Sequence, residues 1–89
     1  MKATTPMTRD AVFRRVAELI HEIAGMPLEE ITEEATIDGS LEMTSVVFVE
    51  LQVTLEDELD ILLDPIEIVE LNRLGDIVDY IHRCAESRT

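Results

Sequence analysis

Apolar side chains recur three and four residues apart in three stretches of the chain, and no stretch sustains an alternation of two. Val12, Val16, Leu19, Ile20 and Ile23 make the first series. Phe48, Leu51, Leu55 and Leu59, with Gln52 on the same stripe, make the second, and Leu74, Ile77, Val78, Ile81 and Cys84 the third. A period near 3.6 puts each series on one face of an α-helix, whereas a strand needs a period of two. The punctuation agrees. Thr5–Pro6 or Thr8 suits the start of the first helix, and Gly25 with Pro27 beyond it suits the end. The second helix is predicted from about Ser45 to Leu59. Asp64-Pro65-Ile66-Glu67 supplies a cap, a first-turn proline and the acid of a capping box, so a short third helix should run to about Leu71. Asn72 then reads as the cap of the fourth, with Asp76 in its first turn. The expected fold is all-α: a four-helix bundle of three longer helices and one short one, with a long first loop from Met26 to Met43. Leu28, Ile31, Ile37 and Leu41 are the expected pegs pinning that loop. A loop this long in a small domain is more often functional than idle.

The chain has 89 residues, room for one hydrophobic core and one domain, with the core expected over about residues 8–84. Phe13, Phe48 and Tyr80 are its only aromatic residues, so the core must be aliphatic. A single cysteine, Cys84, rules out an internal disulfide framework and a thiolate zinc cluster, and fits a reducing compartment. His21 and His82 lack neighbours at metal-ligand spacing, so no metal site is expected. No base is placed to activate a serine, so no catalytic residue is expected either, and the protein reads as a non-enzyme. The N-terminal stretch has no apolar run of the signal-peptide kind, and nothing approaches a membrane span. A cytoplasmic monomer is the expectation.

Charge narrows the partners. The net charge is −13, with 20 acidic residues against 7 basic. Residues 29–60 hold eleven acids and no base, and no Lys or Arg occurs between Arg15 and Arg73. Nucleic acid is excluded as a partner, because phosphate neutralisation needs clustered Lys and Arg. An anionic membrane surface is excluded on the same ground. Electrostatic steering toward a protein with a basic patch is what such a segment can do. Mutual repulsion within it should also raise the native carboxylate pKa values, so that mild acidification from neutral pH stabilises the fold.

The second predicted helix has two apolar stripes. Phe48, Leu51, Leu55 and Leu59 suit the core. Val46, Val49 and Val53, with Val47 at their edge, lie on the other side among Glu50, Asp57 and Asp60. An outward apolar stripe ringed by acids is a candidate partner-binding face.

These pieces together resemble an acyl carrier protein. The carrying residues are Gly25, Glu29-Glu30-Ile31-Thr32 and Ala35, then Thr44-Ser45-Val46, Val49-Glu50-Leu51, Leu55-Glu56-Asp57-Glu58-Leu59-Asp60 and Ile77-Val78-Asp79-Tyr80-Ile81. The match to a bacterial fatty-acid carrier needs no gap from about Arg15 to Ile81. The resemblance implies that Ser45 carries a covalent 4′-phosphopantetheine arm, transferred from coenzyme A with Mg²⁺ by a phosphopantetheinyl transferase. The arm's thiol then holds acyl, polyketide or aminoacyl intermediates as thioesters. Enzymes that load and process those groups, bearing basic patches, are the implied partners. Ser40 sits in Asp38-Gly39-Ser40-Leu41, which superficially copies the family's D-S-L, but its distance to Leu55 is wrong.

Three departures point to a specialised carrier. Thr44 stands where the family has an aspartate, Val47 replaces an acid, and Glu42 replaces a loop glycine. Phe48 stands where fatty-acid carriers have a small residue on the acyl cavity. Gln52 puts an amide on the same stripe, and a buried amide needs a hydrogen-bond partner. Phe48, Gln52, Leu55 and Leu71 are therefore the candidate cargo-cavity residues, with short or polar cargo as the implied load. The alternative function is an unmodified, carrier-like interaction module.

Overall fold

The computed structural model describes residues 8–39, 41 and 44–87. Its elements are α1 (Arg9–Ala24), a single 3₁₀ turn (Leu28–Glu30), α2 (Ser45–Leu59), α3 (Pro65–Leu71) and α4 (Leu74–Ser87). This is the all-α bundle of three longer helices and one short one. Thr8 starts α1, its hydroxyl accepting from Ala11 N at 3.1 Å; the alternative start at Thr5–Pro6 falls outside the described residues. Gly25 ends α1 at φ 77°, and its N–H donates to the His21 carbonyl. That left-handed position favours glycine because it lacks a Cβ. Asp60 ends α2 in the same left-handed conformation, at φ 57° and ψ 50°; Asn72 ends α3 differently, at φ 64° and ψ −45°, in a tight turn where Arg73 N donates to Leu71 O at 2.6 Å. Short polar side chains tolerate positive φ best among non-glycines.

The core is aliphatic, as the shortage of aromatics requires. Val12, Val16 and Ile20 of α1, Leu55 of α2, and Leu74, Val78 and Ile81 of α4 are all but fully buried. Helix α1 packs against both α4 and α2, and α3 packs against α4. Among the described residues α2 and α3 make no extensive contact with each other.

The first loop is pinned more firmly than its apolar pegs alone suggest. Ile31 and Leu41 are buried and Ile37 half-buried, but Leu28 is 48% exposed. The 3₁₀ turn holds Leu28, Glu29 and Glu30 at the surface, and the chain dives inward only at Ile31. Met26 and Ala35 are buried as the further pegs. The loop backbone then binds the α3–α4 junction. Ala35 O accepts from Leu74 N at 2.8 Å, Glu33 O from Gly75 N at 2.9 Å, and Asn72 O from Ile37 N at 2.9 Å. Thr36 and Arg73 form an isolated antiparallel bridge.

Two capping expectations change. Asn72 does not cap α4; it closes α3, and its side chain exchanges two 3.1 Å hydrogen bonds with the Asp38 backbone and carboxylate. The α4 N–H groups are capped instead by the loop carbonyls of Glu33 and Ala35, an arrangement that depends on tertiary packing. Asp64 does cap α3, accepting from Ile66 N at 3.0 Å. The other half of the box is not made by Glu67, because the Asp64 N–H donates to the Tyr80 hydroxyl at 3.0 Å.

Candidate functional site

Ser45 is the first residue of α2, and its side chain is exposed. Thr44 precedes it in an extended conformation and caps the helix. Its hydroxyl accepts from Val47 N at 3.2 Å and its carbonyl from Phe48 N at 2.9 Å. The N–H groups of Ser45 and Val46 are left without intrahelical acceptors, as at any helix start. The first turn of α2 contains no acid. No acid of the first turn therefore offsets the positive end of the helix, which lies beside an accessible hydroxyl. That combination suits a serine carrying an anion such as a phosphodiester. The departure of Thr44 from aspartate leaves the cap intact and removes a repelling carboxylate. Ser40, Glu42 and Met43 lie outside the described residues.

Beyond Ser45 the outer face of α2 is as the sequence divides it. Val46, Val49 and Val53 are 74%, 56% and 55% exposed, with Glu50, Asp57 and Asp60 exposed among them. Val47 is half-buried. Sequence reasoning missed a second set of exposed apolar residues, Leu62, Ile66 and Val69, in α3 and the turn before it. In α3 only Ile68 is buried, and Ile66 and Val69, two before it and one after it, lie on other faces of the helix.

The inner face borders a small apolar cavity of about 20 Å³. Phe48, Gln52 and Leu55 line it, together with Ile37 from the loop, Leu63 and Ile68 from the α3 region, and residues of α1 and α4. Leu71 does not; it packs half-buried against the core elsewhere. The Gln52 amide has its partner, donating to Leu63 O at 3.2 Å, and lies 3.5 Å from the Glu56 carboxylate. Its polar end is thereby turned away from the cavity, which is walled by hydrocarbon. The expectation of a site for polar cargo loses its support.

The acidic segment is less uncompensated than its sequence suggests. Arg9 of α1 pairs with Glu33 at 2.7 Å, pairs with Asp79 of α4, and donates to Gly75 O at 3.0 Å. Arg15 grips Glu58 through two hydrogen bonds of 2.7 and 2.5 Å. The hydrogen bonds from Arg9 hold the Glu33 and Asp79 carboxyls below the usual carboxylate range, and those from Arg15 do the same for Glu58. The expectation of raised pKa values fails for Glu33 and Glu58, because α1 folds its arginines back onto a segment that has no base of its own.

The family model for the phosphopantetheine attachment site matches residues 14–81. The chain is 31% identical over 81 residues to the "Meromycolate extension acyl carrier protein" of Mycobacterium tuberculosis, covering 91% of this chain and 70% of that protein. It is 33% identical over 73 residues to the "Acyl carrier protein" of Saccharopolyspora erythraea, covering 82% and 77%. The "Acyl carrier protein" of Acidothermus cellulolyticus is 29% identical over 75 residues, covering 84% and 89%. The fold is that of an acyl-carrier four-helix bundle. The chain belongs to the acyl carrier protein family. It is a carrier of acyl intermediates and not an enzyme, and its prosthetic group is a covalently attached 4′-phosphopantetheine. The unmodified-module reading gives way to this. A phosphopantetheinyl transferase and biosynthetic enzymes are its partners by family. No helix among the described residues is long and apolar enough to cross a membrane.

Proposed function

We propose that Ser45 carries the arm and that the protein serves a dedicated pathway by holding short acyl groups. The observation that supports the attachment is the exposed Ser45 hydroxyl at a helix start that has no acid in its first turn and is already capped by Thr44. The arm, when attached, supplies the thiol on which the acyl group rides. The residues of this chain do the rest. Thr44 fixes the end of α2, the free N–H groups of Ser45 and Val46 favour the phosphodiester charge, and the apolar cavity offers the chain's tail a dry place. The cavity's volume is close to that of one water-sized group, which favours short cargo. Its hydrocarbon wall favours acyl over aminoacyl groups. Val46, Val47, Val49 and Val53 with Glu50, Asp57 and Asp60 form the face presented to processing enzymes with basic patches. The protein works as a monomer in the cytoplasm, since an acid-ringed face repels a second copy of itself.

The test is intact mass after incubation with coenzyme A, Mg²⁺ and a broad-specificity transferase. Wild type gains one phosphopantetheine. Ser45→Ala gains nothing while keeping the helical circular dichroism of wild type, because the cap belongs to Thr44. Modification that survives the substitution overturns the assignment.

A further inference from the structure

Side chains of α2 and α3 line the same cavity, and Leu63 of the short segment joining them, residues 60–64, contributes one of its walls. That segment is tied to α2 by two adjacent side chains. The Glu56 carboxylate accepts from Leu63 N at 2.8 Å, and the Gln52 amide donates to Leu63 O at 3.2 Å. The Glu56 backbone carbonyl also accepts from Ile61 N at 3.2 Å. Both polar groups of one peptide residue, Leu63, are therefore held by side chains one helical turn apart. Leu63 itself is buried and lines the cavity. On its far side the segment is held at Asp64 N by Tyr80 of α4. Leu63 thus cannot retreat from α2 without breaking bonds to Gln52 and Glu56.

We propose that Gln52 is a specificity-determining residue that acts by position: it ties Leu63 to α2 and so limits how far the cavity opens for an acyl chain. The tie does not read the cargo directly, since the amide points to the Leu63 carbonyl and the cavity wall is apolar. The present volume, about 20 Å³, admits little more than one water-sized group. A longer chain enters only if a wall moves. The walls contributed by α1 and α4 are the packed core of the bundle. The wall at Leu63 belongs to a five-residue connection, and it moves most readily once its ties are released. One hydrogen bond is worth a factor of roughly 2 to 12 in such an equilibrium.

This inference rests on the attachment of the arm at Ser45, and its test separates the two. Wild type, Gln52→Met and Gln52→Glu are compared. Methionine keeps the length and removes the donor; glutamate keeps the shape and places a carboxylate against the Leu63 carbonyl and Glu56. The first readout needs no arm: amide hydrogen exchange of the unmodified proteins. Exchange at Leu63 should quicken in both variants, by a factor of roughly 2 to 12, while Val78 and Ile20 of the α1–α4 core keep their wild-type rates. The second readout uses proteins shown by mass to carry one acylated arm, with two-carbon and eight-carbon thioesters exposed to hydroxylamine. Cleavage of the eight-carbon thioester should slow by a similar factor in the variants relative to wild type, and cleavage of the two-carbon thioester should not change. Unchanged Leu63 exchange overturns the tie. Quickened exchange with length-independent cleavage overturns its role in cargo choice. Absence of the arm from Ser45 overturns the attachment and leaves the exchange result to decide the tie alone.

Discussion

The two sides of this bundle are held together in different ways. Along α1 and α4, fully buried aliphatics are backed by Arg9, which joins α1 to Glu33 of the first loop and Asp79 of α4. Gly75 leaves the space they meet in: a Cβ there would lie 2.9 Å from Glu33 Oε1 and 2.7 Å from Arg73 Nη1. Along α2 and α3 the helices scarcely touch, their outer faces show valine and isoleucine to solvent, and the acids have no neighbouring base in sequence. The first side is built to stay shut. The second carries the proposed partner face and the proposed movable wall of the cargo cavity.

The largest effect should come from breaking the closed side. Ile20→Ala removes a fully buried side chain and should cost about 2–5 kcal/mol, read from denaturant melts, with little chance of local relief. Val49→Ala, exposed on α2, should fall within about 0.5 kcal/mol while weakening binding to a processing enzyme. Equal costs at the two positions would erase the distinction.

Phe48→Ala comes next. The ring lines the cavity but is only partly buried, so its loss should cost less than the about 3–5 kcal/mol of a fully buried phenylalanine. An eight-carbon acyl group on the arm should restore more melting temperature to this variant than it adds to wild type. Equal gains would show that Phe48 does not limit the guest.

Acid should act through the ion pairs made by the arginines of α1. The native carboxyls of Glu33, Asp79 and Glu58 lie below their ordinary values, so the unfolded chain binds more protons than the native one as pH falls. Their contribution is present above the ordinary carboxylate range, near pH 4, and is lost as pH falls through the native values. The melting temperature should decline in that window, and Arg9→Gln should flatten the decline. These pairs are largely solvent-exposed, so the effect is modest and shrinks with salt.

Smallest in stability, though not in rate, is charge reversal on the open side. Glu50→Lys with Asp57→Lys should slow association with a basic partner and flatten its salt dependence, as stopped-flow mixing at low and high salt would show. Asp60 is best left alone, since it ends α2 at positive φ.

The sequence makes the helices and the position of Ser45 legible because both rest on local rules: apolar period, Thr44 and Asp64 as caps, Gly25 as a stop. It conceals what depends on distant residues meeting. The loop carbonyls of Glu33 and Ala35 capping α4, the tie of Tyr80 to Asp64, and Arg9 reaching Asp79 span many residues and leave no periodic trace. Gln52 was visible as an amide on a core stripe, but its partner, a backbone carbonyl eleven residues on, was not.

The attachment site itself can be located by one digest. No Lys or Arg separates Ser40 from Ser45, but Glu42 does. Cleavage after glutamate puts Ser40 in the fragment 35–42 and Ser45 in the fragment 43–50. After modification from coenzyme A, mass spectrometry should find phosphopantetheine wholly on fragment 43–50, with fragment ions placing it on Ser45. Phosphopantetheine on fragment 35–42 would contradict the account.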